Sequence, residues 1–99
     1  MGTFFHSLTL ISPTGSRETI EPKVDTGAMF TTIPAVVLER LGVEPFDSIP
    51  VRFANGDEDR WPLGQLEAEL AGRRRPILCL FGSNGAPPLL GAHTLKHSC

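Results

Sequence analysis

Residues 23–34 read KVDTGAMFTTIP. One acid, Asp25, stands between two apolar runs and is followed at once by Thr26 and Gly27. The apolar neighbours predict a strand that runs into a packed interior, where a carboxylate is costly unless hydrogen-bonded or neutralised. Gly27 lets the backbone approach a neighbour closely or take positive φ. Thr26 offers a hydroxyl to a buried backbone group. Together the three can hold one carboxyl group rigidly on a tight loop. Alone, Asp-Thr-Gly is equally the signature of an Asx-type turn, so the flanking chain has to decide.

Working outward, turn signals recur at short spacing, the pattern of an all-β domain. FFHSLTLI (4–11) predicts a strand with Leu8 and Leu10 on one face, SPTGS turns the chain, and ETIEPKV (18–24) returns, with Pro22 implying an edge or bulge. MFTTI is a short β-rich run. PAVVLERLG predicts a helix with Pro34 at its first position and Gly42 at its stop. SIPVRFA and DRWPLGQLEAEL flank the hairpin signal NGD, and Leu66, Ala68 and Leu70 alternate with Glu67 and Glu69. PILCLF predicts a central strand, and LLGAHTLKHS a buried strand end that closes in a short helix. Six or seven strands and one or two short helices are expected, within a single domain over 1–99.

The bulk properties narrow the function. At 99 residues and 40% hydrophobic side chains, the core is modest, so self-association would help. A formal net charge of -2 argues against a nucleic-acid partner. The basic run Arg73-Arg74-Arg75 follows Gly72 and is expected in a solvated turn. Cys79, inside PILCLF, is expected as a reduced core residue and Cys99 as an exposed one. MGTFFHSLTLIS lacks the form of a signal peptide, and no run has the length of a membrane span. These features lead to an expectation of a cytoplasmic protein that does not engage a membrane.

The pairing of VDTGA with PPLLGAHTL about sixty residues later resembles the retroviral-type, or retropepsin-like, aspartic proteases, in a bacterial-type single-domain form. There a hydrophobic-Asp-Thr/Ser-Gly-Ala run precedes a hairpin flap and then a hydrophobic-hydrophobic-Gly run. The matching parts here are Val24 to Ala28, the turn at Asn55-Gly56-Asp57, and Leu89-Leu90-Gly91. The resemblance implies an all-β, small closed β-barrel-like acid-protease half with a flap hairpin. It also implies an aspartic endopeptidase, a hydrolase of peptide bonds. Pepsin-sized relatives carry two motifs in one chain. This chain has one, because Asp47, Asp57 and Asp59 lack the Thr-Gly that follows Asp25. A symmetric homodimer would therefore pair Asp25 with its twin. By the same resemblance Thr26 would bond across the two-fold axis. Gly27 and Ala28 would support the loop, with Leu89, Leu90 and Gly91 packed beneath. Met29, Phe53, Asn55, Gly56, Asp57 and Trp61 would face a peptide or protein substrate, Trp61 having the alternative of packing the flap against the body. No metal and no other cofactor is implied.

Three features set this chain apart. Met29 stands where the family often has a small polar or acidic residue. The ANGDEDRW turn is acidic where viral flaps are glycine-rich, which disfavours acidic substrates. The segment after Gly91 is short, so the dimer is expected to be weak, to use another surface, or to be absent. The rival reading is a non-catalytic retropepsin-like module that binds peptides or assembles proteins. His93, His97 and Cys99 share a terminal segment, but no carboxylate falls at useful spacing and a zinc site is not expected.

Overall fold

A computed structural model describes residues 4–96. Strands β1 (Leu8–Ile11), β2 (Arg17–Ile20), β3 (Lys23–Asp25) and β4 (Thr31–Pro34) precede helix α1 (Ala35–Arg40). Strands β5 (Asp47–Arg52), β6 (Glu58–Leu70), β7 (Arg73–Gly82) and β8 (Leu89–Gly91) follow, and α2 (Ala92–Lys96) closes the described chain. All eight strands form one curled, half-barrel sheet in the order β2-β1-β6-β7-β4-β8-β3, with β5 paired to the free end of β6. Among the described residues no helix is long and apolar enough to cross a membrane.

The long β6 explains the shape. Its second half pairs with β7 from Leu63↔Leu80 to Leu70↔Arg73, and with β1 around Leu10↔Ala68. Its first half runs on past the sheet and pairs only with β5, from Asp47↔Leu63 to Arg52↔Glu58. The β5–β6 hairpin therefore projects from the body. The period-2 pattern over Leu66 to Leu70 does what it predicts: Leu66, Ala68 and Leu70 are buried, whereas Glu67 and Glu69 stay half-exposed and pair with Arg74 and Arg17.

Leu8, Leu10, Ile33, Leu38 and Leu90 are 0% exposed and form the centre of the core with Leu66, Ile77, Cys79 and Phe81. Each such aliphatic side chain contributes about 1.5–3 kcal/mol on burial, so the core joins β1, β4, α1, β6, β7 and β8 into one unit. The expected second strand is two strands broken at Pro22, and the first is shorter than 4–11, with Phe5 contributing only an isolated bridge to Lys23. Pro34 lies at the N-cap rather than the first helical position, and the Val36 N–H is satisfied by Asn84 Oδ1 at 2.9 Å.

The arginine run is also corrected. Arg73, Arg74 and Arg75 belong to β7, and the turn is confined to Ala71 and Gly72, at φ 52° and 80°. Two successive residues of positive φ make the tight reversal that joins strands of matching twist. The strand therefore starts earlier than its apolar stretch, because the ladder to β6 continues whatever the side chains.

Candidate active site

Asp25 is the last residue of β3. This strand lies parallel to β8, with Val24 opposite Leu90 and Asp25 opposite Gly91. Its other side meets the chain's start: the Val24 N–H donates to Phe4 O at 2.8 Å and the His6 N–H to Pro22 O at 3.2 Å. Beyond Asp25 the chain turns tightly. The Gly27 N–H donates to Asp25 Oδ1 at 3.0 Å, and the Ala28 N–H to Asp25 O at 3.1 Å. That is the Asx turn, formed at the same residue that the longer pattern singled out. Asp25 is half-buried rather than sealed inside, so in a single chain its carboxylate keeps contact with water.

Gly27 is not among the glycines of positive φ. A Cβ there would come 3.3 Å from Asp25 Oδ1, so the residue's use is close approach to the carboxylate. Thr26 departs from expectation. It is exposed, and among the described residues its hydroxyl has no hydrogen bond, so it does not satisfy a buried backbone group. Thr31 does that work instead. Its Oγ1, fully buried, accepts the Gly91 N–H at 3.1 Å and lies 2.6 Å from Thr94 Oγ1.

The far side of the loop is held by α2. The Ala92 N–H donates to Ala28 O at 2.8 Å and the His93 N–H to Met29 O at 2.9 Å. Gly91 passes so close under Phe30 that a Cβ would lie 2.4 Å from the Phe30 carbonyl carbon. Asp25 is thus fixed from three directions: the parallel pairing with β8, the threonine bridge, and the helix that catches the loop carbonyls.

A hollow of about 330 Å³ lies beside the loop, lined by Thr26, Gly27, Ala28, Met29, Ala92 and His93. On the other side a cleft of about 510 Å³ runs beneath the β5–β6 hairpin, bordered by Met29, Phe30, Ile49, Val51, Phe53 and Trp61. Trp61 is half-buried, and its ring lies 6.1 Å from that of Phe53. Of the residues expected to face a substrate, Met29, Phe53 and Trp61 border this cleft. Asn55, Gly56 and Asp57 are at the hairpin tip instead, held by Asn55 Nδ2 to Asp57 Oδ2 at 3.1 Å and the Asp57 N–H to Asn55 Oδ1 at 3.0 Å. The supporting trio divides: Leu89 borders the cleft, Leu90 is core, and Gly91 carries the close approach.

Among the described residues no three His, Cys, Asp or Glu side chains are placed to hold a metal ion; His97 and Cys99 lie outside them. Phe30, Ile49 and Val51, none of them singled out in the sequence, complete the cleft wall.

No protein-family model matches the chain, and no curated protein matches it. Solved structures do. The simian foamy virus (mac) protease superposes with a TM-score of 0.68 at 18% identity, over 94% of this chain and 92% of that one. This is the retropepsin-like fold. A foamy viral protease-reverse transcriptase, solved with an RNA/DNA hybrid, matches with a TM-score of 0.65 at 15% identity, over 94% of this chain and 12% of that one. A Legionella pneumophila protein of unknown function matches with a TM-score of 0.63 at 20% identity, over 95% of this chain and 84% of that one. Within the retropepsin-like fold, the Asp25 loop, the β5–β6 hairpin and the cleft between them form the candidate site.

Proposed function

We propose that the chain is one retropepsin-like domain that hydrolyses peptide bonds as a homodimer, with Asp25 of each copy forming a carboxylate dyad. The observation that carries this reading is a single, rigidly held Asp25 at the end of β3, on a loop whose Ala28 and Met29 border an apolar cleft under a projecting hairpin. One carboxylate supplies half of the required acid–base pair, and the chain has one Asp-Thr-Gly. Two such groups brought together cannot both ionise easily. They share a proton and titrate as a coupled pair. The ionised member draws a proton from a bound water, and the protonated member polarises the scissile carbonyl. The β5–β6 hairpin acts as a flap that closes over the peptide and excludes water.

The surface around Asp25 supports pairing. Phe4, Phe5 and Met29 are 71%, 60% and 68% exposed, and Phe4 is hydrogen-bonded to the strand that ends in Asp25. Exposed apolar groups clustered beside a half-built site suit burial by a second copy. The Thr26 hydroxyl, without a partner among the described residues, is available for a bond across the two-fold axis. The buried free thiol of Cys79 accords with a reducing, cytoplasmic setting.

The test combines mass in solution with cleavage of a peptide library between pH 4 and 7, using Asp25→Asn as control. A dimer that cleaves, with activity lost in the variant, is the expected result. A strict monomer excludes the dyad. Equal cleavage by both proteins excludes Asp25, and a dimer that binds peptides without cleaving them supports the assembly-module reading instead.

A further inference from the structure

The two faces of the β5–β6 hairpin carry different chemistry. Directly opposed residues of an antiparallel pair share a face. Ile49 is opposed to Trp61 and Val51 to Asp59; Pro50 is opposed to Arg60 and Arg52 to Glu58. Of the hairpin residues that border the cleft, Ile49, Val51, Phe53 and Trp61 belong to the first face, and Pro50 and Arg52 of the second border it too. By register Asp59 shares the face of these four apolar residues; it is exposed and lies outside the lining of the cleft itself. Its rung lies between that of Trp61 and the closing pair of Phe53 with Asp57, and the Phe53 and Trp61 rings are 6.1 Å apart.

Nearby cations are already engaged. Arg52 borders the cleft, but its guanidinium donates to Glu58 Oε2 at 2.7 Å. Arg60 donates to Ser48 O at 2.7 Å and Ser48 Oγ at 3.1 Å. Asp57 Oδ2 accepts from Asn55. Among the described residues Asp59 accepts only the N–H of its neighbour Arg60, at 2.8 Å, and pairs with no cation. A carboxylate on a rung flanked by two aromatic rings suits a cationic group: the charge attracts it, and the ring faces add to that attraction. The apolar wall alongside suits the alkyl stem of the same side chain.

We propose that Asp59, flanked by Phe53 and Trp61, forms a subsite for a lysine or arginine side chain of the bound peptide. The inference rests on the reading of this cleft as a peptide site and names the substrate class it prefers, apolar segments that contain a basic residue.

Trp61, the only tryptophan, reports binding without any need for turnover. Its fluorescence is titrated with acetyl-Ala-Leu-Lys-Leu-Ala amide and with the same peptide carrying norleucine for lysine. Wild-type protein should bind the lysine peptide about 5- to 30-fold more tightly, as expected for one exposed ion pair plus one cation–π contact. Asp59→Asn should bring that ratio close to one without weakening binding of the norleucine peptide. Asp59→Glu and Asp57→Asn should keep it, and added salt should reduce it. A wild-type ratio near one, no binding of either peptide, or an unchanged ratio in Asp59→Asn overturns the proposal. Binding with the expected ratio but no cleavage under any condition refutes hydrolysis and leaves the subsite standing.

Discussion

Replacing Thr31 with valine tests how Asp25 is positioned. Thr31 is fully buried, and its Oγ1 accepts the Gly91 N–H at 3.1 Å while lying 2.6 Å from Thr94 Oγ1. Valine has nearly the same shape, so no cavity forms, but two buried polar groups lose their partner. Each stranded group costs about 1–3 kcal/mol, and the methyl that replaces the hydroxyl recovers part of that by burial, so Thr31→Val should lose about 2–4 kcal/mol. That is a large part of the roughly 5–15 kcal/mol available to a small domain. With a urea dependence of about 1.5 kcal/mol per M, the unfolding midpoint should fall by roughly 1–3 M. Thr31→Ser, which keeps the hydroxyl, should recover most of the loss. In the double variant Thr31→Val with Thr94→Val, the stranded Thr94 hydroxyl is gone, so the cost should fall short of the sum by about 1 kcal/mol. A Thr31→Val protein within about 0.5 kcal/mol of wild type, or strictly additive single changes, would show that the threonine bridge does not hold the Asp25 loop to β8.

Other perturbations follow from single measurements. Gly91→Ala forces a Cβ to 2.4 Å from the Phe30 carbonyl carbon, a backbone atom that cannot swing aside, and should lower stability by about 3 kcal/mol or more in the same urea assay. Ala71 has φ 52°, and Ala71→Asn should raise the unfolding midpoint by a stability gain of roughly 0.5–1 kcal/mol, because asparagine tolerates this region better. Burial pushes the Cys79 thiol up, so the folded thiol stays protonated above about pH 8.5, where an unfolded one ionises. The unfolded chain then binds fewer protons, and stability should fall by up to about 1.4 kcal/mol per pH unit above that point. Cys79→Ala should flatten this slope in urea midpoints taken from pH 7.5 to 9.5.

What could be read from the sequence was local. Leu66, Ala68 and Leu70 announce their strand because side chains alternate along any half-buried β-strand, and all three are buried. The NGD turn and its flanking arms announce the hairpin for the same reason. The start of β7 could not be read this way. Arg73 to Arg75 look like a solvated turn, yet they extend a ladder whose hydrogen bonds belong to the backbone and ignore side-chain polarity. Pro22 signalled an edge or a bulge within one strand, whereas the structure breaks the strand there and gives the two pieces different partners, β2 with β1 and β3 with β8.

The site shows the same boundary more sharply. Asp25, Gly27 and Gly91 were legible because carboxylate and glycine chemistry is specific to those residue types. Thr31 and Thr94 were not, since a threonine hydroxyl reveals nothing about its partner until antiparallel pairing of β4 and β8 brings the two segments together. Thr26 was given the task that Thr31 performs, although its own side chain is exposed. The Asx-turn reading and the functional reading of Asp25 also stop being rivals. The Gly27 N–H that makes the turn is the group that fixes Asp25 Oδ1, and the half-exposed carboxylate still faces solvent. A turn built for that purpose alone would need neither the buried threonine bridge nor the Gly91 contact that leaves no room for a Cβ. Those two features spend core space on holding one loop still. Holding a loop still has a physical use when a second reactive group must meet it in a set geometry.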